Sequence, residues 1–393
     1  GSDLCFEALL KMMGHDVHHL LVMDAGRMAG IVSNHDFMLL QGTAPLMIVK
    51  DIEAQASVEG LSALSGKVTA LISLLLGEGA RAAIIHRIIT TVNDRIERKV
   101  LDLAERTLGP PPVPYCWIVY GSAGRKEQTF ITDQDNGVLY ADAGEEAAAR
   151  DAHDFFTRFA DFAVNSFRRC GYALCPGDFM ATNPRWRQPY SVWRSSFHQW
   201  IHAPTDEAIH YAMNLFDFRG LHGDLRLASD LRSHLGRSLQ GQNMFLKAVA
   251  NLAVDYRPPF GLFGSLLTER DGIHVNQLDL KTHCLTPLIN IVRLFSFECG
   301  VAEVSTAERL AELRSVHPVV QTLGGDLEYA WEFLSLLRIR HQLEQIAAGN
   351  TPDNFINPKH LSSLEQRNLK EICRMLLRTL DDIEKKYNIG TQL

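Results

Sequence analysis

The stretch Gly121–Asp135, GSAGRKEQTFITDQD, decides how this chain is read. It follows the apolar run YCWIVY at 115–120, which predicts a strand, and leads into a second predicted strand around DNGVLYAD. Glycine lets a backbone turn sharply and approach a phosphate closely. Backbone N–H groups at such a turn, with a helix expected to begin at Arg125–Gln128, make an anion site. Ser122 adds a hydroxyl, and Arg125 and Lys126 add positive charge to complement a triphosphate. The candidate nucleotide-binding set at this turn is Gly121, Ser122, Gly124, Arg125 and Lys126.

Ten residues separate Ser122 from Asp133, and Asp133 and Asp135 flank Gln134. On an extended strand, residues two apart share a face and lie about 6.6 Å apart along the chain. Two carboxylates at that spacing can converge on divalent cations that clamp the attacking and leaving oxygens of a transfer reaction. Magnesium suits the task, with manganese as its substitute, because it takes few carboxylates plus phosphate oxygens and water.

Glycine-serine, a spacer of about ten and Asp-x-Asp together resemble the nucleotidyltransferase superfamily of the DNA polymerase β type. The longer wording GSAGRKEQTFITDQDNGVLY, with PGDFMATNPRWRQP, NLFDFRGLHGD and DLKTHCLTPLINIVRL, resembles the CBS-linked nucleotidyltransferases. These are related to the PII uridylyltransferase and the glutamine synthetase adenylyltransferase. The residue between the two acids is usually apolar in that superfamily; here it is Gln134, expected to face a partly open side of the sheet.

The resemblance implies a third carboxylate from a later strand. Asp178 in ALCPGDFMA is the first candidate, as metal ligand and catalytic acid, with a turn residue as its alternative reading. Asp217 in LFDFRG is the second, with a salt bridge to Arg219 or a neighbour as its alternative. The implied activity moves a nucleoside monophosphate from a nucleoside triphosphate to a protein or small-molecule acceptor. The alternative is a non-catalytic, nucleotide-responsive signalling module on the same fold.

Residues 3–42 read as helix, strand, strand, helix. Asp24, Gly26, Gly30, Ser33 and Asp36 resemble the C-terminal part of a CBS motif, which implies an adenine nucleotide near Ser33 and Asp36 or a structural remnant without ligand. The opening Gly-Ser has the look of a cloning scar, and a fragment of a longer protein is expected. The domains expected are a partial CBS motif at 1–46, a helical connector at 47–110 broken by GPPPVP, a catalytic domain at 111–226 and a helical substrate-binding-type domain at 227–393. The fold class is therefore α+β and mostly helical, with a small mixed sheet, flanking helices and a C-terminal bundle.

Composition narrows the partners. A net charge of −7 argues against broad nucleic-acid binding, which needs a basic excess. Seven cysteines without a C-x-x-C pair read as free thiols in a reducing compartment, so the expected location is cytoplasmic. No apolar run is seen to approach the roughly 20 residues that span a bilayer; ALISLLL at 70–76 reads as a buried helix face. CBS modules commonly pair, so a homodimer is expected. The aromatic and basic WRQPYSVWR segment either stacks a base, grips an acceptor or forms a packing seam. RIRHQLE at 338–344 belongs to an amphipathic bundle, with substrate binding implied by the resemblance.

Overall fold

The computed structural model describes residues 5–15, 17–24, 26–33, 45–130, 132–261 and 266–390. The chain is about 63% helical with small mixed sheets, the α+β class read from the sequence. It divides into two compact units: residues 1–190 with 219–228, and residues 191–218 with 229–393. The cut differs from the four expected segments, because residues 191–218 group with the C-terminal helices and residues 1–110 with the sheet.

The first unit opens with α1 (Cys5–His15) and the antiparallel hairpin β1 (His19–Asp24) and β2 (Arg27–Ser33). Gly26 sits in its turn at φ +79, a conformation that favours glycine. Ser33 ends β2 half-buried, whereas Asp36 and the helix expected from Asn34 lie outside the described residues. Helices α2 (Pro45–Glu53), α3 (Val58–Ser62), α4 (Ser65–Gly77) and α5 (Ala82–Leu108) follow.

One sequence-based expectation needs correction. Val58–Gly77 is, by length and composition alone, long and apolar enough to cross a membrane. In this fold the stretch is divided between α3 and α4, and Leu71, Ile72 and Leu75 are buried. The proline run after α5 does not separate units either. Tyr115 Oη donates to Glu105 Oε1 at 2.6 Å, folding the end of α5 back onto the strand that follows.

The sheet is built from β3 (Tyr115–Val119), β5 (Asn136–Tyr140), β7 (Arg187–Pro189) and β8 (Arg219–Gly223), in the order β7-β5-β3-β8. Strand β3 runs antiparallel to both β5 and β8, and β7 runs parallel to β5. Every residue of β3 and β5 is buried, as a continuous apolar run covered on both faces should be. Helix α7 (Glu146–Arg169) covers one face with Phe156, Phe159 and Phe167, whose rings meet Tyr115, Trp117 and Tyr140. The one-turn helix α6 (Gly121–Gly124) and a short parallel pair, β4 (Asp133–Gln134) with β6 (Ala173–Leu174), complete the unit.

Strand β8 was not legible as a strand. Gly223 closes it at φ +84, and a Cβ there would lie 2.2 Å from the Tyr115 carbonyl oxygen. Gly223→Ala is therefore expected to destabilise the first unit by about 2 kcal/mol or more, read as a lower thermal midpoint.

The second unit is helical: α8 (Tyr190–His202), α9 (Asp206–Leu215), most of α10 (Leu225–Leu239), α11 (Asn243–Asp255), α12 (Thr286–Cys299), α13 (Thr306–Val316), α14 (Pro318–Ala347) and α15 (Ser363–Tyr387), with a minimal pair of β9 (Leu278–Asp279) and β10 (Phe355–Ile356). Phe197, Phe216, Phe245 and Phe297 form a ring cluster in its core. Ser362 and Glu365 form a reciprocal capping box that starts α15.

Candidate active site

The register of the sheet assembles the site. Val119 pairs with Asn136, so the exit of β3 adjoins the entry of β5, and Tyr120 N donates to Asp135 O at 3.1 Å. Gly121 thereby comes against the Asp135 side chain. A Cβ on Gly121 would lie 2.5 Å from Asp135 Oδ2, and its φ of +58 is in the left-handed region. Both observations require glycine there.

The helical turn occupies Gly121–Gly124, not Arg125–Gln128 as expected. The positive φ of Gly121 lets the chain turn at once, and Lys126 at φ +58 ends the turn. The N–H groups of residues 124–127 are taken by the carbonyls of Tyr120, Gly121, Ala123 and Ser122. The first three N–H groups of a helical turn have no carbonyl of the turn behind them; here these are the groups of Gly121, Ser122 and Ala123. Gly124 is buried, Ser122 and Arg125 are half-buried, and Lys126 is exposed. Arg125 Nε donates to Glu127 Oε2 at 2.9 Å, so its charge is shared inside the protein.

Asp133 and Asp135 line one small, partly enclosed pocket together with Ala123, Gln128, Asn136, Phe167 and Tyr172. Gln134 lines it too, but the expectation that it faces an open side fails. It is buried, and its Nε2 donates to the carbonyls of Val164 and Tyr172 at 3.3 and 3.4 Å. Those two carbonyls, from α7 and the turn after it, give the amide a role that an apolar residue lacks. Gln128 is 1% exposed, with neither amide atom hydrogen-bonded; its carbonyl oxygen lies 2.8 Å from His86 Nδ1 on α5.

Glu97 on α5 is the acid that the sequence reading missed. It lines the same pocket and makes no hydrogen bond or ion pair among the described residues. Burial, and then the charge of Asp94, push its carboxyl up to about 8, against the opposing effect of Arg219 and Arg98. Its signal was faint: it stands three and four residues before Val100 and Leu101, on the buried face of α5.

Asp178 is exposed at φ +57 in the loop after β6. Asn183 Nδ2 donates to its Oδ2 at 2.9 Å and Trp186 Nε1 to its carbonyl at 2.9 Å. The loop is stitched to the sheet by Tyr120 Oη donating to the carbonyls of Asn136 and Phe179, and by Ala181 N donating to Asn136 Oδ1. Burial first, then the charges of Asp135, Cys175 and Asp178, raise the Tyr120 hydroxyl well above its ordinary value. In the same loop, burial and the adjoining Asp135 push the Cys175 thiol up to about 12.

Asp217 is removed from the acid set. It belongs to the second unit and is 0% exposed. Arg293 Nη2 donates to its Oδ2 at 2.6 Å and Arg309 Nη2 to its Oδ1 at 2.8 Å, so both oxygens are held. Arg219 pairs elsewhere, with Asp94.

The WRQPYSVWR residues are divided between the units. Trp186 stacks on Phe179 in the first, and Trp193 meets Phe197 edge-on in the second. Arg338, Arg340 and His341 face Asn354, Glu365 and Asp353 within the second unit. Cys116, Cys170, Cys175, Cys284, Cys299 and Cys373 are free.

No three His, Cys, Asp or Glu side chains stand close enough to hold one metal ion among the described residues. Asp133 and Asp135 nonetheless supply two hard oxygen donors from one short segment, a donor set that suits magnesium or manganese completed by phosphate oxygens and water.

Residues 66–207 match the family model described as "Putative nucleotidyltransferase DUF294", and residues 243–387 match that of the "Putative nucleotidyltransferase substrate binding domain". No curated protein matches the chain. The first match contains Gly121, Asp133, Asp135 and Asp178, and Asp217 falls between the two.

Proposed function

We propose that this chain, which belongs to a nucleotidyltransferase family, is a metal-dependent enzyme that moves a nucleoside monophosphate from a nucleoside triphosphate to a hydroxyl of a protein or small-molecule acceptor. The observation that carries the reading is the close approach of the Asp135 carboxylate to Gly121, which brings one member of the acid pair against the small-residue turn. Asp133 and Asp135 would hold the cation, and magnesium, when bound, supplies charge neutralisation on the polyphosphate. The Ser122 hydroxyl and the leading N–H groups of α6 donate to phosphate oxygens, and exposed Lys126 adds charge at the rim. The acceptor oxygen bonds to the α-phosphorus as the bond to pyrophosphate breaks. Its proton passes to a carboxylate, for which Asp178 is the candidate. Most of the rate comes from positioning and electrostatics.

Control by an adenine nucleotide bound near Ser33 and Asp36 belongs to the same reading and rests on the sequence resemblance alone. A second reading, a module that binds nucleotide without turnover, is favoured by the absence of a converged acid trio among the described residues. Incubation with magnesium and each of the four labelled nucleoside triphosphates separates the two. Pyrophosphate release or label transfer that is lost in Asp133→Asn supports the enzyme. Nucleotide binding without either, across candidate acceptors, supports the module.

A further inference from the structure

Arg219, the first residue of β8, grips three atoms at once. Its Nη1 and Nη2 donate to Asp94 Oδ2 and Oδ1 at 2.9 and 2.6 Å, and its Nε donates to the Ala123 carbonyl at 3.1 Å. Both charged side chains are largely buried, at 15% and 14% exposure, so the fork is shielded from water. A guanidinium holding a carboxylate through two parallel bonds is fixed in plane, and its third donor is then aimed. Here that donor is aimed at the α6 turn. The Ala123 carbonyl also accepts Lys126 N at 3.2 Å, so one oxygen is the point where the turn is both closed and anchored. Asp94 is itself carried on a braced helix: Arg98, one turn on, donates from Nε to the Leu221 carbonyl at 3.0 Å.

We propose that Arg219 is a positioning residue of the nucleotide site, with Asp94 as its fixed counter-ion, and that together they set the orientation of the Gly121–Gly124 turn toward the triphosphate. Neither side chain touches the reacting atoms. The inference rests on the reading of the turn as the triphosphate's seat. It accounts for the arginine of the NLFDFRGLHGD segment, which the acid-pair chemistry leaves without a role. A lysine at 219 keeps the charge but has neither the fork nor the aimed Nε.

The test compares Arg219→Lys and Asp94→Asn with the wild type in two arms. In the first, amide hydrogen exchange is followed in peptides covering 120–128 and, as an internal reference, the β5 strand at 136–140. The expected result is exchange at least about tenfold faster in 120–128, with the reference unchanged. In the second arm, pyrophosphate release with the magnesium salts of ATP, GTP, CTP and UTP is resolved into kcat and KM. A loss of roughly 10- to 100-fold is expected, falling on kcat. Exchange in 120–128 equal to wild type in both variants overturns the proposal, as does unaltered kcat. Faster exchange in both peptides alike also overturns it, because the pair then supports the sheet in general. Wild-type protein that neither binds nor turns over any of the four nucleotides defeats the enzyme reading and leaves the exchange arm to decide the positioning role.

Discussion

Asp135→Asn is expected to lower nucleotidyl transfer by roughly 10²- to 10³-fold, the scale on which a single preorganised charge in such a site acts. The amide keeps the size of the carboxyl, so its contact with Gly121 and the fold are retained, and the thermal midpoint should stay within a few degrees. The same variant carries a readout that needs no acceptor. The Cys175 thiol is held up by burial first and by the Asp135 charge second. Removing that charge should bring the thiol down, so it reacts faster with a disulfide reagent at alkaline pH. Full transfer activity in the variant would remove Asp135 from the site. Gly121→Ala is the companion: it leaves the charge intact but sets a methyl 2.5 Å from Oδ2, so activity should fall through displacement alone.

Glu97→Gln should stabilise the metal-free protein, increasingly so as pH rises. The folded state keeps the Glu97 proton up to about pH 8, whereas an exposed glutamate releases it near 4.5. Between those values the folded state binds the extra proton, so stability falls as pH rises, at roughly 1 kcal/mol or more per pH unit. The sum over the window is on the order of 5 kcal/mol. The glutamine variant lacks that penalty. Its thermal midpoint in EDTA should exceed that of the wild type by a margin that widens from pH 5 to pH 8 and then levels. A margin that stays constant across this range would show that Glu97 does not titrate there.

The parts of the fold that were legible are those with a strong local period or a continuous apolar run: the hairpin before Ser33, the strand YCWIVY, the helix Glu146–Arg169 and the C-terminal helices. What escaped depended on contacts distant in sequence. Strand β8 contains two glycines and a histidine in five residues, and it is a strand because β3 lies beside it. Gln134 looked like a solvent-facing exception, and it is buried because two carbonyls near the end of α7 accept its amide. In the acid set, Asp133 and Asp135 were visible because turn and spacing were local. Glu97 was not, since it reaches the pocket from the preceding helix, more than twenty residues before the motif. Asp217 had the right residue type in a suggestive segment; only the two arginines from α12 and α13 reveal its structural role.

Helix α5 is fastened along both flanks within six residues. On one side Arg95 donates to the Met13 carbonyl at 2.9 Å and Lys99 to the Glu53 carbonyl at 2.6 Å; on the other, Asp94 receives Arg219. A helix is stiff over so short a span, so it behaves as a lever with a load at each edge. Asp94 and Arg219, the latter on β8, carry that fastening on to the Ala123 oxygen, so the ties to α1 and α2 and the tie to the α6 turn share one rigid span.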